Sequence, residues 1–129
     1  MKNLDKNSVT GVAAMLVHAA SIDEKYSDKE KTLIKEFIQS YLKDEDITGI
    51  LKKAEEIEKN SNQLLDYTNI IKKNSIEVKS EIIEHLWKII ISDNAIDMYE
   101  SNLMRRICGL IYFPDKLCGE IKLKLLKNK

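Results

Sequence analysis

Apolar residues recur along this chain at the three-to-four-residue spacing that marks the buried face of a helix. Val9, Val12, Ala13, Leu16, Val17 and Ala20 stand at i, i+3, i+4, i+7, i+8 and i+11. They predict a first helix whose alanines let a neighbour approach closely. The polar residues 1–7 before it read as a frayed end, with a single domain over 8–127. The chain turns near Asp23 to Tyr26. Ser27 followed by Glu30 then has the grammar of a capping box, in which a hydroxyl and a carboxylate satisfy the free amides of a helix start. The helix it opens turns Leu33, Ile34, Phe37, Ile38 and Tyr41 inward. An acidic link, Asp44 to Asp46, leads to a third helix with Ile47, Ile50, Leu51, Ala54 and Ile57 inward, broken at Asn60 to Asn62. Leu64, Leu65, Thr68 and Ile71 predict a short fourth.

Asn74 followed by Glu77 reads as the cap of a fifth helix carrying Ile76, Ile82, Ile83, Leu86, Trp87, Ile90 and Ile91. Ile89 to Ile91 alone would suit a strand, but the longer spacing decides for a helix. Because it is apolar on more than one side, this helix is expected to be the central, most buried element. Asp97 and Glu100 open a sixth helix with Leu103, Met104, Ile107 and Leu110 inward. Phe113-Pro114-Asp115 breaks it, since proline disfavours helix at the residue before it. A last helix carries Leu117, Ile121 and Leu125 and ends among lysines that complement its dipole. The fold class is therefore all-α, a compact bundle of about six or seven helices.

Composition narrows the function. The 129 residues hold 21 Lys plus Arg and 21 Asp plus Glu, a net charge of zero, which argues against a nucleic-acid binder that needs surplus cations. With 4 Gly and 1 Pro, a fold rich in tight turns is excluded. The two cysteines, Cys108 and Cys118, form no metal-ligand spacing and read as buried free thiols of a reducing compartment. The apolar stretch Val12 to Ala20 is too short to span a bilayer. Its helical spacing suits mature structure better than a signal peptide, so a cytoplasmic location is expected. His18 and His85 read as partly buried or surface residues, since no Ser or Cys nucleophile has a readable partner. No Gly-rich phosphate loop and no HExxH occurs. The lysine-leucine tail from Lys122 reads as a mobile end, or as a contact for an acidic partner or an anionic membrane.

Two stretches of the chain superimpose when one is slid along the other. Leu16-Val17 falls on Leu86-Trp87, Asp23 on Asp93, Glu30 on Glu100, Leu33 on Leu103 and Ile34-Lys35 on Met104-Arg105. The shared grammar is an apolar helix, an Asp at its end, a capped start and a second apolar helix. It predicts two duplicated helical hairpins with a connecting pair of helices between them. The acidic motifs read Asp23-Glu24-Lys25-Tyr26-Ser27-Asp28-Lys29-Glu30 and Asp93-Asn94-Ala95-Ile96-Asp97-Met98-Tyr99-Glu100. With this pair the sequence resembles the TerB-like tellurite-resistance family, whose members usually carry A-D-G-x-[IV]-D-x-x-E twice, each copy between apolar helices. The match is best from Leu86 to Leu110 and extends over Val12 to Leu117. Ser27 stands where the family has Asp, and Glu24 and Asn94 stand where it has Gly.

The resemblance implies a bacterial, all-helical, non-enzymatic domain tied to stress resistance against tellurite and, in related systems, to phage and toxins. It also implies a divalent cation, calcium or magnesium, held by Asp93, Asp97 and Glu100 of the second motif and Asp23 and Glu30 of the first. A protein partner, membrane-associated, and a place beside the inner membrane are implied with it. The residues themselves leave two readings open. Hard cations need several converging oxygens, which carboxylates in a tight turn can supply. Equally, Ser27 with Glu30 and Asp97 with Glu100 are explained as caps, and Asp23 and Asp93 as turn formers. The alternative function is a helical protein-protein adaptor without metal. A carboxylate acid-base enzyme would require a perturbed carboxyl group in a cleft, which the sequence does not indicate. Partner identity and oligomeric state have no signature.

Overall fold

The computed structural model describes residues 4–21, 27–43, 46–60, 65–91 and 98–127, with the backbone alone at 65–66 and 98–101. Within them lie seven helices: α1 (Lys6–Ser21), α2 (Asp28–Tyr41), α3 (Ile47–Asn60), α4 (Leu65–Lys72), α5 (Ile76–Ile91), α6 (Met98–Leu110) and α7 (Asp115–Lys127). Most boundaries have a side-chain cause. The Asp5 carboxylate accepts the Ser8 amide at 2.7 Å, so α1 begins at Lys6, and Leu4 before it is buried. Of the stretch read as frayed, residues 4–7 are described, and α1 takes in Lys6 and Asn7. Asp46 accepts the Gly49 amide at 3.1 Å and starts α3. The fifth helix is capped by Ser75, whose hydroxyl accepts the Val78 amide at 3.3 Å, and not by Asn74 as its sequence suggests. Asn74 closes α4 instead, donating its amide nitrogen to the Ile70 carbonyl at 2.9 Å.

The central element is α1 and not α5. Every residue from Val9 to Val17 is buried, and α1 packs on α2, α3, α4 and α5. The expected stripe of Val9, Val12, Ala13, Leu16, Val17 and Ala20 is inward, but so are Thr10, Gly11, Ala14, Met15 and Ala19 behind it. A helix covered on all sides needs short side chains where neighbours come closest. At Gly11 a Cβ would stand 2.6 Å from Ile70 Cδ1, so α1 and α4 meet across a position where the smallest residue fits. The wide apolar surface of α5 serves this arrangement: it packs on α1, α2 and α7.

The duplication extends further than the sequence indicates. Helices α1 and α5 are both 16 residues long, and the offset from Lys6 to Ile76 at their starts recurs from Asp28 to Met98 at the starts of α2 and α6. Helix α7 follows α3 at nearly the same offset, from Ile47 to Asp115, and packs on α5 as α3 packs on α1. The repeated unit is therefore three helices. Only α4 lies outside it, where a connecting pair was expected. Helix α7 also continues to Lys127, so the tail read as a mobile end is helical, with Leu123 and Leu126 exposed.

Helices α2 and α5 run antiparallel. The Tyr41 hydroxyl donates to Glu81, and four residues back Phe37 meets the edge of His85, ring centroids 5.1 Å apart. This pairing directs the start of α2 and the end of α5 the same way. His85 donates Nδ1–H to the Glu81 carbonyl at 3.0 Å.

Helix α6 ends in a Schellman turn. The Phe113 amide donates to the Cys108 carbonyl at 2.8 Å and the Tyr112 amide to the Gly109 carbonyl at 3.4 Å. The turn requires a left-handed residue, which here is Tyr112 at φ 59°, with Lys72 Nζ 5.2 Å from its ring centroid. A side chain in this conformation costs about 1–2 kcal/mol that glycine avoids. Tyr112→Gly should therefore be more stable than Tyr112→Ala by about 1 kcal/mol, the reverse of their order inside a helix. Urea unfolding of the two variants measures it.

Burial, with Lys88 adding to it, holds the His85 imidazole below its ordinary value of 6.5, against the Glu81 carbonyl bond and the Glu84 and Glu81 carboxylates. The unfolded chain then binds this proton more readily than the folded one, so stability rises with pH through 6.5 and falls on acidification. Stability curves between neutral and mildly acidic pH should lose part of this slope in His85→Gln.

Candidate functional site

Of the five carboxylates singled out by the motifs, Asp23, Asp93 and Asp97 lie outside the described residues. Glu100 is in the first turn of α6, and its side chain also lies outside the description. Glu30 is described in full. Ser27, extended at φ −84° and ψ 164°, accepts the Glu30 amide on its hydroxyl at 3.2 Å. In return Glu30 Oε1 accepts the Ser27 amide at 2.8 Å and the Ser27 hydroxyl at 2.9 Å. Glu30 is 2% exposed, so this carboxylate is sequestered in the cap of α2. The capping box that Ser27 and Glu30 predict is present. Among the described residues no group of three or more His, Cys, Asp or Glu is arranged to hold a metal ion.

The start of α2 follows the first acidic stretch and the end of α5 precedes the second in the chain, and the antiparallel α2–α5 pairing directs these two helix ends the same way. A separate acidic surface lies between α5 and α7. A groove of about 490 Å³ there is lined by Glu77, Glu81, Glu84 and Glu120, with Lys124 the basic residue among them. Burial first, and then the Glu81 carboxylate, push the Tyr41 phenol above its ordinary range, so it stays a hydrogen-bond donor to Glu81. Reasoning from the sequence did not single out this groove. Its signal was the i, i+4, i+7 spacing of Glu77, Glu81 and Glu84 on a helix whose other faces are apolar. Both histidines are half-buried, as expected. His18 Nδ1 lies 3.4 Å from Glu58 Oε1, and His85 is bonded to its own helix.

The family model for tellurite resistance protein TerB matches residues 10–123. The chain belongs to the TerB family. No curated protein and no solved structure matches it. The TerB match takes in both acidic motifs and runs from α1 into α7, so it covers most of both copies of the repeated unit. Among the described residues of this TerB domain, no helix is long and apolar enough to cross a membrane.

The capping box carries a testable cost. Ser27→Ala removes both hydroxyl bonds beside a buried carboxylate and should destabilise the TerB domain by about 1–2 kcal/mol. Glu30→Gln preserves an acceptor for the Ser27 donors and should cost less. Chemical denaturation of both variants gives the comparison.

Proposed function

We propose that this tellurite-resistance-type domain is a non-enzymatic stress-response module that takes a divalent cation, calcium or magnesium, at its second acidic motif. Asp93, Asp97 and Glu100 are the ligands, and Asp23 contributes from the first. Glu30 stands with them from the first motif, buried in the cap of α2 with its Oε1 engaged by Ser27. The donor set suits a hard cation: carboxylate oxygens closely spaced in sequence, without sulfur or imidazole. The observation that supports the reading is the antiparallel pairing of α2 and α5, which directs the start of α2 and the end of α5, each next to an acidic stretch in the chain, the same way. Two acidic stretches attached at one end of a bundle repel each other, and a cation relieves that repulsion while drawing the stretches together. The mechanism is recognition. The cation neutralises the acidic end and presents it to a membrane-associated protein partner, with the domain in the cytoplasm beside the inner membrane.

The test is thermal unfolding of chelator-treated protein with and without millimolar calcium, magnesium or manganese, beside Asp93→Ala. A cation at about a hundredfold its dissociation constant should stabilise the fold by roughly 2.7 kcal/mol, several degrees for a chain of this size. The shift should vanish in Asp93→Ala. An unchanged midpoint with all three cations would replace this reading with that of a metal-free adaptor.

A further inference from the structure

The acidic groove between α5 and α7 adjoins a surface of the opposite character. Helix α7 packs Leu117, Ile121 and Leu125 against the core, each half-buried. Its outer stripe is Glu120, Leu123, Lys124 and Lys127, at i, i+3, i+4 and i+7, and all four are exposed. Leu123 is 64% exposed, and Leu126 beside the stripe is exposed too. These leucines and lysines, with Glu120, line a hollow of about 550 Å³. Glu120 and Lys124 line both the hollow and the groove, so the two form one continuous surface. The groove sets the carboxylates of Glu77, Glu81, Glu84 and Glu120 around Leu117 and Ile121, with Lys124 as the cation among them. In the hollow the balance reverses: Lys124 and Lys127 stand with Glu120 around two exposed leucines.

We propose that a second copy of this chain docks on this surface, α7 against α7 across a two-fold axis. The chemistry of the groove selects its occupant. Carboxylates beside apolar side chains take a helix that presents leucines flanked by lysines, and α7 is such a helix. Because groove and hollow lie side by side, one two-fold rotation brings the lysine-leucine stripe of each copy to the groove of the other. The contact is isologous, the same patch used twice, and it closes at a dimer. Antiparallel α7 helices with the axis level with Lys122 set Glu120 of each copy opposite Lys124 of the other. Leu123 and Leu126 leave water on association, which supplies the non-directional part of the attraction. The incoming ammonium groups offset the surplus of carboxylates in each groove, and Glu81 keeps its bond from Tyr41. A net charge of zero leaves no overall repulsion between copies.

The experiment is sedimentation velocity of the full chain over a range of concentrations at low ionic strength. The expected result is a shift with concentration from the mass of one chain to that of two, and nothing heavier. Leu123→Glu changes an exposed position, so the fold is retained while the dissociation constant of the dimer rises about tenfold or more. Two charge reversals locate the axis. Glu120→Lys alone and Lys124→Glu alone each set like charges across it and should stay monomeric. Mixed in equal amounts, the two variants restore both cross-pairs and should form a heterodimer. The mass of one chain at every concentration up to about 1 mM overturns the proposal. A mass that grows past the dimer, a dimer unchanged in Leu123→Glu, or a mixture no heavier than its components does so as well. A monomer that nevertheless binds a synthetic peptide of residues 115–127 assigns the groove to a basic helix of another protein, and that too overturns it.

Discussion

The burial of α1 on all sides is the constraint on which the rest of the bundle depends. A helix with no solvent face cannot use large side chains everywhere, because neighbouring axes must come within about 8–10 Å on several sides at once. Gly11, Ala13, Ala14, Ala19 and Ala20 make room, while Met15 and Leu16 fill the spaces between the surrounding helices. Those helices must supply the missing bulk. Phe37 and Ile38 on α2, Leu51 on α3, Ile71 on α4 and Ile82, Ile83 and Leu86 on α5 are all buried. The breadth of the apolar surface on α5 is a response to α1.

This also explains where the sequence was legible. The helices, most of their inward large residues and the box at Ser27 and Glu30 follow from local spacing, and the structure has them; Ile76, 47% exposed, is an exception. Local spacing misjudged which helix is central. Isoleucine and tryptophan advertise burial, whereas Thr10, Gly11 and Ala14 look like the polar or neutral side of a stripe. The Asn74-Ser75 pair is ambiguous for a different reason: either residue can cap, and only the requirement to close α4 assigns Asn74 to that task. The pairing of α3 with α7 carries no acidic grammar to reveal it. Nor does a sequence show that Tyr112 adopts the left-handed conformation that closes α6. Of the acidic residues chosen from the motifs, the structure describes the side chain of Glu30 alone.

The placement of α1 sets a timetable for synthesis. It is made before every helix that covers it, and its last cover, α5, does not begin until Ile76. At roughly 5–20 residues per second the ribosome needs about 4–14 seconds to deliver that cover. During this interval the most apolar surface of the domain has only partial company. The first three-helix unit can shorten the exposure, because α2 and α3, which pack on α1 in the finished fold, emerge before the second copy. Duplication thus gave this fold a half that can shelter its own central helix while the other half is still being made.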